Sequence, residues 1–285
     1  MVDLTTTGCG VSVCIPVRNG AETLAAQLEA LASQVGASTV EVVVADNGST
    51  DDTRRVACSF AERLDLRVID AGKEPGINVA RNAAVRAASH ERILFCDADD
   101  VVQGDWISQM ARALDRAPLV GGTCVETILG VAGRELGVAT RFSFLPAPLG
   151  ACCGLSRECF DAIGGFDESY RGGADEFDFF FRAQIAGYEL IESPARVTYI
   201  QAVRGARSEI RRSFHRALQE VHLYRDFKEA GMPRSSPGAA LKGWALLGLS
   251  IPRLLSRQSR VEWARLLGRR VGRVVGSLRW RKLYL

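Results

Sequence analysis

Apolar and polar positions follow two rhythms along the first hundred residues of this chain. Unbroken apolar runs read as buried strands: Val11-Ser12-Val13-Cys14-Ile15, then 40–45 with Glu41 as its polar member, then 66–69 and 92–96. Between them apolar residues recur every three or four positions over 23–31 (Leu24, Leu28, Leu31), 51–64 and 77–88, the spacing of one helix face. Pro16 is expected to stop the first strand. Strand and helix in alternation predict an α/β fold with a mostly parallel central sheet flanked by helices.

Beyond Asp105 the pattern loosens. One or two strands are predicted over 120–138, around turns at Gly121-Gly122 and Gly130, followed by a loop over 142–149. A short helix over 157–163 ends at Gly164-Gly165, and helices follow over 176–186 and 207–229. The stretch 232–238, with Pro233, Ser235, Ser236 and Pro237, reads as a linker. It divides the chain into a domain over 1–231 and a C-terminal basic helical extension over 232–285.

At 47% hydrophobic and 24% charged residues, the composition excludes a predominantly disordered chain. The net charge of +3 is unevenly placed. From Pro252 onward ten bases face the single acid Glu262, so the rest of the chain is net acidic. The eight cysteines show no metal-knuckle or thioredoxin-type spacing. With Cys14 and Cys96 inside apolar strands, they read as structural thiols of a reducing compartment. No basic-then-apolar leader precedes the first strand, which predicts a cytoplasmic protein. The apolar run over 243–251 is too short to span a bilayer.

The candidate chemistry sits where strands end. The run 92–96 leads into Asp97-Ala98-Asp99-Asp100, and open α/β sheets bind ligands at that carboxyl edge. With the strand continued, Asp97 and Asp99 share one side, where two oxygens take part of a divalent ion's shell and leave positions for phosphates. The alternative is an acidic turn capping a helix that begins near Asp105-Trp106. The second strand ends in Asp46-Asn47-Gly48-Ser49-Thr50-Asp51. Asp46 there either accepts a uracil or thymine N–H or forms a plain Asx turn and helix cap. Gly76-Ile77-Asn78-Val79-Ala80-Arg81-Asn82 opens a helix after the third strand. Gly76 permits close approach and helix N–H groups favour anions, with Arg81 either at that edge or merely on the surface. Asp175-Glu176 opens another helix, where acids either stabilise the macrodipole or take a proton from a hydroxyl.

In order, Pro16-Val17-Arg18-Asn19, the Asp46 and Gly76 stretches, Asp97-Ala98-Asp99-Asp100, Gly164-Gly165-Phe166-Asp167-Glu168, and Asp175-Glu176-Phe177-Asp178 through Arg182 resemble the motifs of family 2 glycosyltransferases. The resemblance covers about 11–199 and implies a GT-A (Rossmann-like) fold. It implies a metal-dependent, inverting hexosyltransferase that uses a nucleotide-diphosphate sugar, with a UDP-sugar favoured. By this resemblance Asp46 binds the base, Pro16 and Asn19 form the wall beside it, and Gly76 and Arg81 support base or ribose recognition. Asp97 serves the ribose and metal region, and Asp99 holds Mg²⁺ or Mn²⁺. Glu176 aligns with the catalytic base, but the family's Glu-Asp order is reversed here, so Asp175 shares the assignment. Arg18 replaces a common aromatic, and an arginine can still stack. The family's late histidine would fall near Tyr199-Ile200-Gln201, and His90, His215 and His222 all lie elsewhere. The latter two read as solvated or packed, which leaves the metal to the aspartates.

The implied setting is cell-surface polysaccharide or glycolipid biosynthesis, with a glycan or lipid-linked acceptor. A soluble small-molecule acceptor and a non-catalytic nucleotide-sugar-binding scaffold are the alternatives. The tail carries the choice of partner. Apolar 240–255 with Trp244, and arginines mixed with Trp263, Val271, Val275, Leu278 and Trp280, suit an interfacial helix on an anionic membrane, peripheral to its inner face. They equally suit helices packing on the body or on another subunit in an oligomer. No nucleic-acid motif accompanies the charge.

Overall fold

A computed structural model describes residues 10–34, 39–128, 130–200, 205–249 and 256–284. Within them lie two compact units. One comprises 10–140, Pro146–Glu168 and 179–200; the other comprises Arg141–Leu145, Ser169–Asp178 and 205–284.

In the first unit β1 (Val11–Val17), α1 (Leu24–Ala32), β2 (Val40–Asp46), α2 (Thr53–Cys58), β3 (Asp65–Asp70), α3 (Ile77–Ala87) and β4 (Arg92–Phe95) alternate. Their strands pair in parallel in the order β3-β2-β1-β4. Val13, Cys14, Ile15, Val42, Val43, Val44, Ile93 and Leu94 are fully buried, which is why these runs show no polar alternation. The chain continues through β5 (Val101–Val102), α4 (Trp106–Leu114), β6 (Leu119–Ile128), β7 (Val131–Leu136), β8 (Ala139–Arg141), β9 (Leu145–Ala147), β10 (Cys153–Ser156), α5 (Arg157–Ile163), α6 (Asp175–Ile185) and β11 (Leu190–Ile200). Among the described residues nine strands form one sheet, ordered β3-β2-β1-β4-β10-β6-β11-β5 with β7 on β6, while β8 and β9 pair separately. β10 runs antiparallel to both β4 and β6, so the second half of the sheet is mixed.

Three details differ from the sequence expectation. Pro16 does not stop β1, which pairs with β2 as far as Val17 but with β4 only as far as Cys14. The proline therefore sits where one flank of the strand has already lost its ladder. The loop expected over 142–149 contains β9. β10 and β11 were not anticipated by periodicity.

Glu41 is the polar member of an otherwise apolar strand, and its burial is compensated. It accepts Ser12 Oγ at 2.7 Å, the Ser89 N–H at 2.8 Å and Ser89 Oγ at 3.0 Å, and it pairs with Arg67. Burial alone would raise its pKa, but these donors outweigh it and hold the carboxyl below its ordinary value. The folded pKa thus lies below the unfolded one. The stabilisation is complete above the unfolded carboxylate range and drains away as pH falls through the lowered value. Glu41→Gln should cost about 1–3 kcal/mol near neutrality. It should also flatten the acid limb of melting temperature against pH. An acid limb identical to wild type would show that Glu41 contributes nothing to it.

The second unit holds α7 (Ala206–Phe227), α8 (Pro237–Leu249) and α9 (Arg257–Arg279). α9 lies on α7 along Gly268, Gly272 and Gly276, one turn apart. A Cβ on them would come within 2.4 Å of the Ile210 oxygen, 2.4 Å of the Phe214 oxygen and 2.8 Å of Val221 Cγ2. The absence of side chains there lets the two backbones meet. Arg265 bonds Glu209 at 2.9 Å, and Glu220 takes Arg273 at 2.7 Å and Arg269 at 3.5 Å. Part of the tail's basic charge is thus spent on acids of α7. α8 buries Ala240, Gly243 and Leu247, and Trp263 Nε1 donates to the Leu247 oxygen at 3.1 Å. Its Leu241, Trp244, Leu246 and Leu249 remain exposed. The rest of the apolar stretch, 250–255, lies outside the described residues. Among the described residues no helix is long and apolar enough to cross a membrane. Cys14, Cys96, Cys124, Cys152, Cys153 and Cys159 are buried free thiols.

Candidate active site

β1, β2, β3 and β4 point the same way, so the residues just past their ends share one sheet edge. Pro16, Asn19, Asp46, Gly76, Asp97 and Asp99 all lie there. Asp46 closes β2 opposite Val17 of β1 and Asp70 of β3, and its Oδ1 accepts the Ser49 N–H at 2.9 Å. The carboxylate thus holds the turn after β2 through a bond three residues on, whichever of the two roles it also serves. Asn19, in the left-handed region (φ 54°), accepts the Thr50 N–H at 2.8 Å and donates its own N–H to Ser49 Oγ at 2.9 Å. These bonds tie the loop after β1 to the loop after β2.

Asn47 is the brace of this edge, and sequence reasoning assigned it no role. Its N–H donates to the Val17 oxygen at 2.8 Å. Its side-chain amide donates to the oxygens of Ala71 (2.6 Å) and Glu74 (2.8 Å) and accepts the Gly76 N–H at 2.8 Å. One residue thus joins the ends of three strands, its backbone reaching β1 and its side chain the segment after β3. Arg81 is buried, donates to Asn78 Oδ1 at 3.1 Å and places its guanidinium 5.5 Å from the Phe166 ring centre. The next residue, Asn82, brackets the turn at Phe166, accepting its N–H at 2.9 Å and donating to its oxygen at 2.8 Å.

The aspartates converge by a turn and not by a continued strand. β4 stops at Phe95, and the Asp100 N–H reaches back to the Asp97 oxygen at 3.4 Å. Oxygens of Asp97, Asp99 and Asp100 come within 4.8 Å of one another. β5 separates this turn from α4, so the helix-capping alternative does not apply. Three supports fix the turn. Gln27 of α1, fully buried, donates to the Asp97 oxygen at 3.2 Å and accepts the Val102 N–H at 2.9 Å. β5 pairs with β11, and the Ile200 N–H donates to Asp100 Oδ1 at 2.9 Å. Gln27 and Asp100 were not assigned roles from sequence. A buried amide in a helix leaves no periodic signal.

Asp99 is exposed, whereas Asp100 is 1% exposed and its Oδ2 is buried without a hydrogen-bond partner. Burial, with Asp97 beside it, pushes the Asp100 carboxyl up to about 9. An orphaned carboxylate oxygen among three hard oxygen donors fits Mg²⁺ or Mn²⁺.

Asp175 and Glu176 belong to the second unit, in the first turn of α6 with Asp178. Asp175 is buried and Glu176 half-buried. Three consecutive left-handed residues, Gly172 (φ 88°), Gly173 (φ 153°) and Ala174 (φ 57°), lead into them. A Cβ on Gly173 would lie 2.9 Å from Arg216 Cα, so the turn is pressed onto α7. Tyr170 anchors its start, donating to Asp226 at 2.8 Å and stacking on His222 at 4.3 Å, which stacks on Trp280 at 4.8 Å. His222 is packed and His215 exposed, as the helix pattern suggested. Tyr199 and Ile200 end β11, and Gln201 lies outside the described residues.

Comparison with known proteins adds the lineage. The sequence model of glycosyl transferase family 2 matches residues 12–158. Glycosyltransferase AglE of Haloferax volcanii is 34% identical over 116 residues, 39% of this chain and 38% of that protein. Succinoglycan biosynthesis protein ExoO of Rhizobium meliloti is 34% identical over 130 residues, 44% of this chain and 36% of that protein. The chain therefore spans well under half the length of these curated relatives. A mannosyltransferase from Pyrobaculum calidifontis, solved with GDP-Man and Mn²⁺, superposes with a TM-score of 0.62 at 19% identity, covering 93% of this chain and 86% of that one. That likeness establishes a shared fold.

Proposed function

The chain belongs to glycosyl transferase family 2, and from that premise we propose that it moves a sugar from a nucleotide-diphosphate sugar to an acceptor hydroxyl with inversion. The reading rests chiefly on Asp97, Asp99 and Asp100, within 4.8 Å of one another on the sheet edge that Asp46 shares. The setting is assembly of a cell-surface polysaccharide or glycolipid, a reading supported by the similarity to the succinoglycan biosynthesis protein ExoO. The Pyrobaculum complex supports the kind of donor and metal.

Asp97 and Asp99, with Asp100 behind them, would hold Mg²⁺ or Mn²⁺, which would supply positive charge against the departing nucleoside diphosphate. Asp46 accepts the ring N–H of the base, a donor that uracil and thymine share, and the family resemblance favours a UDP-sugar of the two. Pro16 and Asn19 wall the base, Gly76 admits the nucleotide to the start of α3, and buried Arg81 steadies that helix beside the ribose. Glu176, or Asp175, takes the acceptor's proton. Calorimetry with UDP, dTDP, GDP and CMP, each with and without Mn²⁺, tests the donor site. UDP should bind tightest and only with the metal. A folded protein that binds none of the four would sink the transferase reading.

The exposed side of α8 rests on an anionic membrane in this proposal. A helix apolar nearly all round needs cover, and the exposed Lys242 of α8 and Arg260 in the first turn of α9 match anionic headgroups. The protein should pellet with phosphatidylglycerol vesicles at low salt, and Leu241→Asp with Leu249→Asp should release it. Wild type left in the supernatant would reject this placement.

A further inference from the structure

The second unit carries a cavity of about 510 Å³ that plays no part in the reading so far, lined by Arg171, Gly172, Ser208, Arg211, Arg212 and His215. Ser208, Arg211, Arg212 and His215 stand at positions i, i+3, i+4 and i+7 of α7, so one face of that helix supplies them all. α9 covers a different face, through Ile210, Phe214 and Val221. Three guanidinium groups, a hydroxyl and an imidazole line the cavity, and no carboxylate does. Glu209, next in sequence to Ser208, is engaged elsewhere by Arg265 at 2.9 Å and Ser213 at 3.2 Å. The opposite wall is held in place. Gln219 Nε2 donates to the Arg171 oxygen at 3.2 Å, and left-handed Gly172 lies close against His215.

We infer that this cavity binds a phosphate or diphosphate ester on the acceptor. Guanidinium forks match phosphate oxygens in geometry and charge, and clustered arginines with a hydroxyl are the donor set such a group needs. The inference rests on the transferase reading above, and it names the acceptor's class. Arg171 lies four residues before Asp175, so the segment that would hold the phosphate runs straight into the turn bearing the two candidate bases. A phosphate gripped there would help hold a nearby sugar hydroxyl for deprotonation. The phosphate could be a lipid diphosphate headgroup or a phosphate without a lipid, and both share this chemistry.

The test titrates inorganic pyrophosphate and farnesyl diphosphate into the full chain in EDTA. Without a divalent ion the aspartate turn repels phosphates, so binding reports the cavity. Pyrophosphate should bind. The double variant Arg171→Gln with Arg211→Gln should weaken it at least about tenfold, the loss of one charge-assisted bond. Its melting temperature should hold, since Arg171 and Arg211 are exposed. Tighter binding of farnesyl diphosphate supports the site with a lipid-borne ligand, and equal binding supports it with the phosphate alone. No pyrophosphate binding in EDTA, or binding undiminished in the double variant, overturns the inference. Mn²⁺-dependent UDP binding by the same samples reports separately on the donor site, so either reading can fail without the other.

Discussion

Asp99→Asn is expected to lose Mn²⁺-dependent nucleotide binding and to reduce transfer by about a thousandfold or more, the scale of several kcal/mol of metal-borne charge stabilisation. Asp99 is exposed, and its carboxylate converges with Asp97 and Asp100. Removing one charge should therefore leave the fold intact, which an unchanged melting temperature would confirm. Asp97→Asn should behave in the same way. Its backbone oxygen, held by Gln27, is untouched by a side-chain change. A variant that still bound UDP with Mn²⁺ at wild-type affinity would remove the aspartate turn from the donor site.

Glu176→Gln should keep donor binding while its kcat falls about 10²–10⁴-fold, the usual share of a general base. Asp175→Asn decides between the neighbours. Asp175 is buried whereas Glu176 is half-buried, so Glu176 is better placed to meet an incoming hydroxyl. Its side chain is also one methylene longer. If Asp175→Asn instead carries the loss of kcat, the base is Asp175 and the reversed order is a true exchange of roles. Both variants within tenfold of wild type would leave the first turn of α6 with its macrodipole role alone.

The first half of the sheet was legible because β1, β2 and β4 are buried on both faces, and each apolar run is cut cleanly by a helix of different period. β11 was invisible for the opposite reason. Leu190–Ile200 buries only alternate positions near its middle, contains Pro194, and pairs with β6 some seventy residues earlier (Leu190 opposite Leu119). Nothing local announces such a partner. The site divides the same way. Carboxylates closing apolar runs stood out at Asp46, Asp97 and Asp99. The residues that hold them, Gln27 and Asn47, did not, because an amide's role is set by the backbone groups that fold around it. Pro16 misled because a proline's effect depends on which neighbour has already left the ladder. The tail's two readings were inseparable from composition. Gly268, Gly272 and Gly276 settle the position of α9 on α7 by close approach, a feature that composition treats as mere flexibility.

The stack of Tyr170, His222 and Trp280 bears on how much of the chain is indispensable. Trp280 follows the last residue of α9, yet through His222 it braces the residue that begins the approach to Asp175 and Glu176. Trimming the protein after its sheet would not yield a leaner catalyst. The turn proposed to carry the base would lose its keystone, and Trp280→Ala is expected to lower kcat while Mn²⁺-dependent UDP binding stays at wild-type affinity.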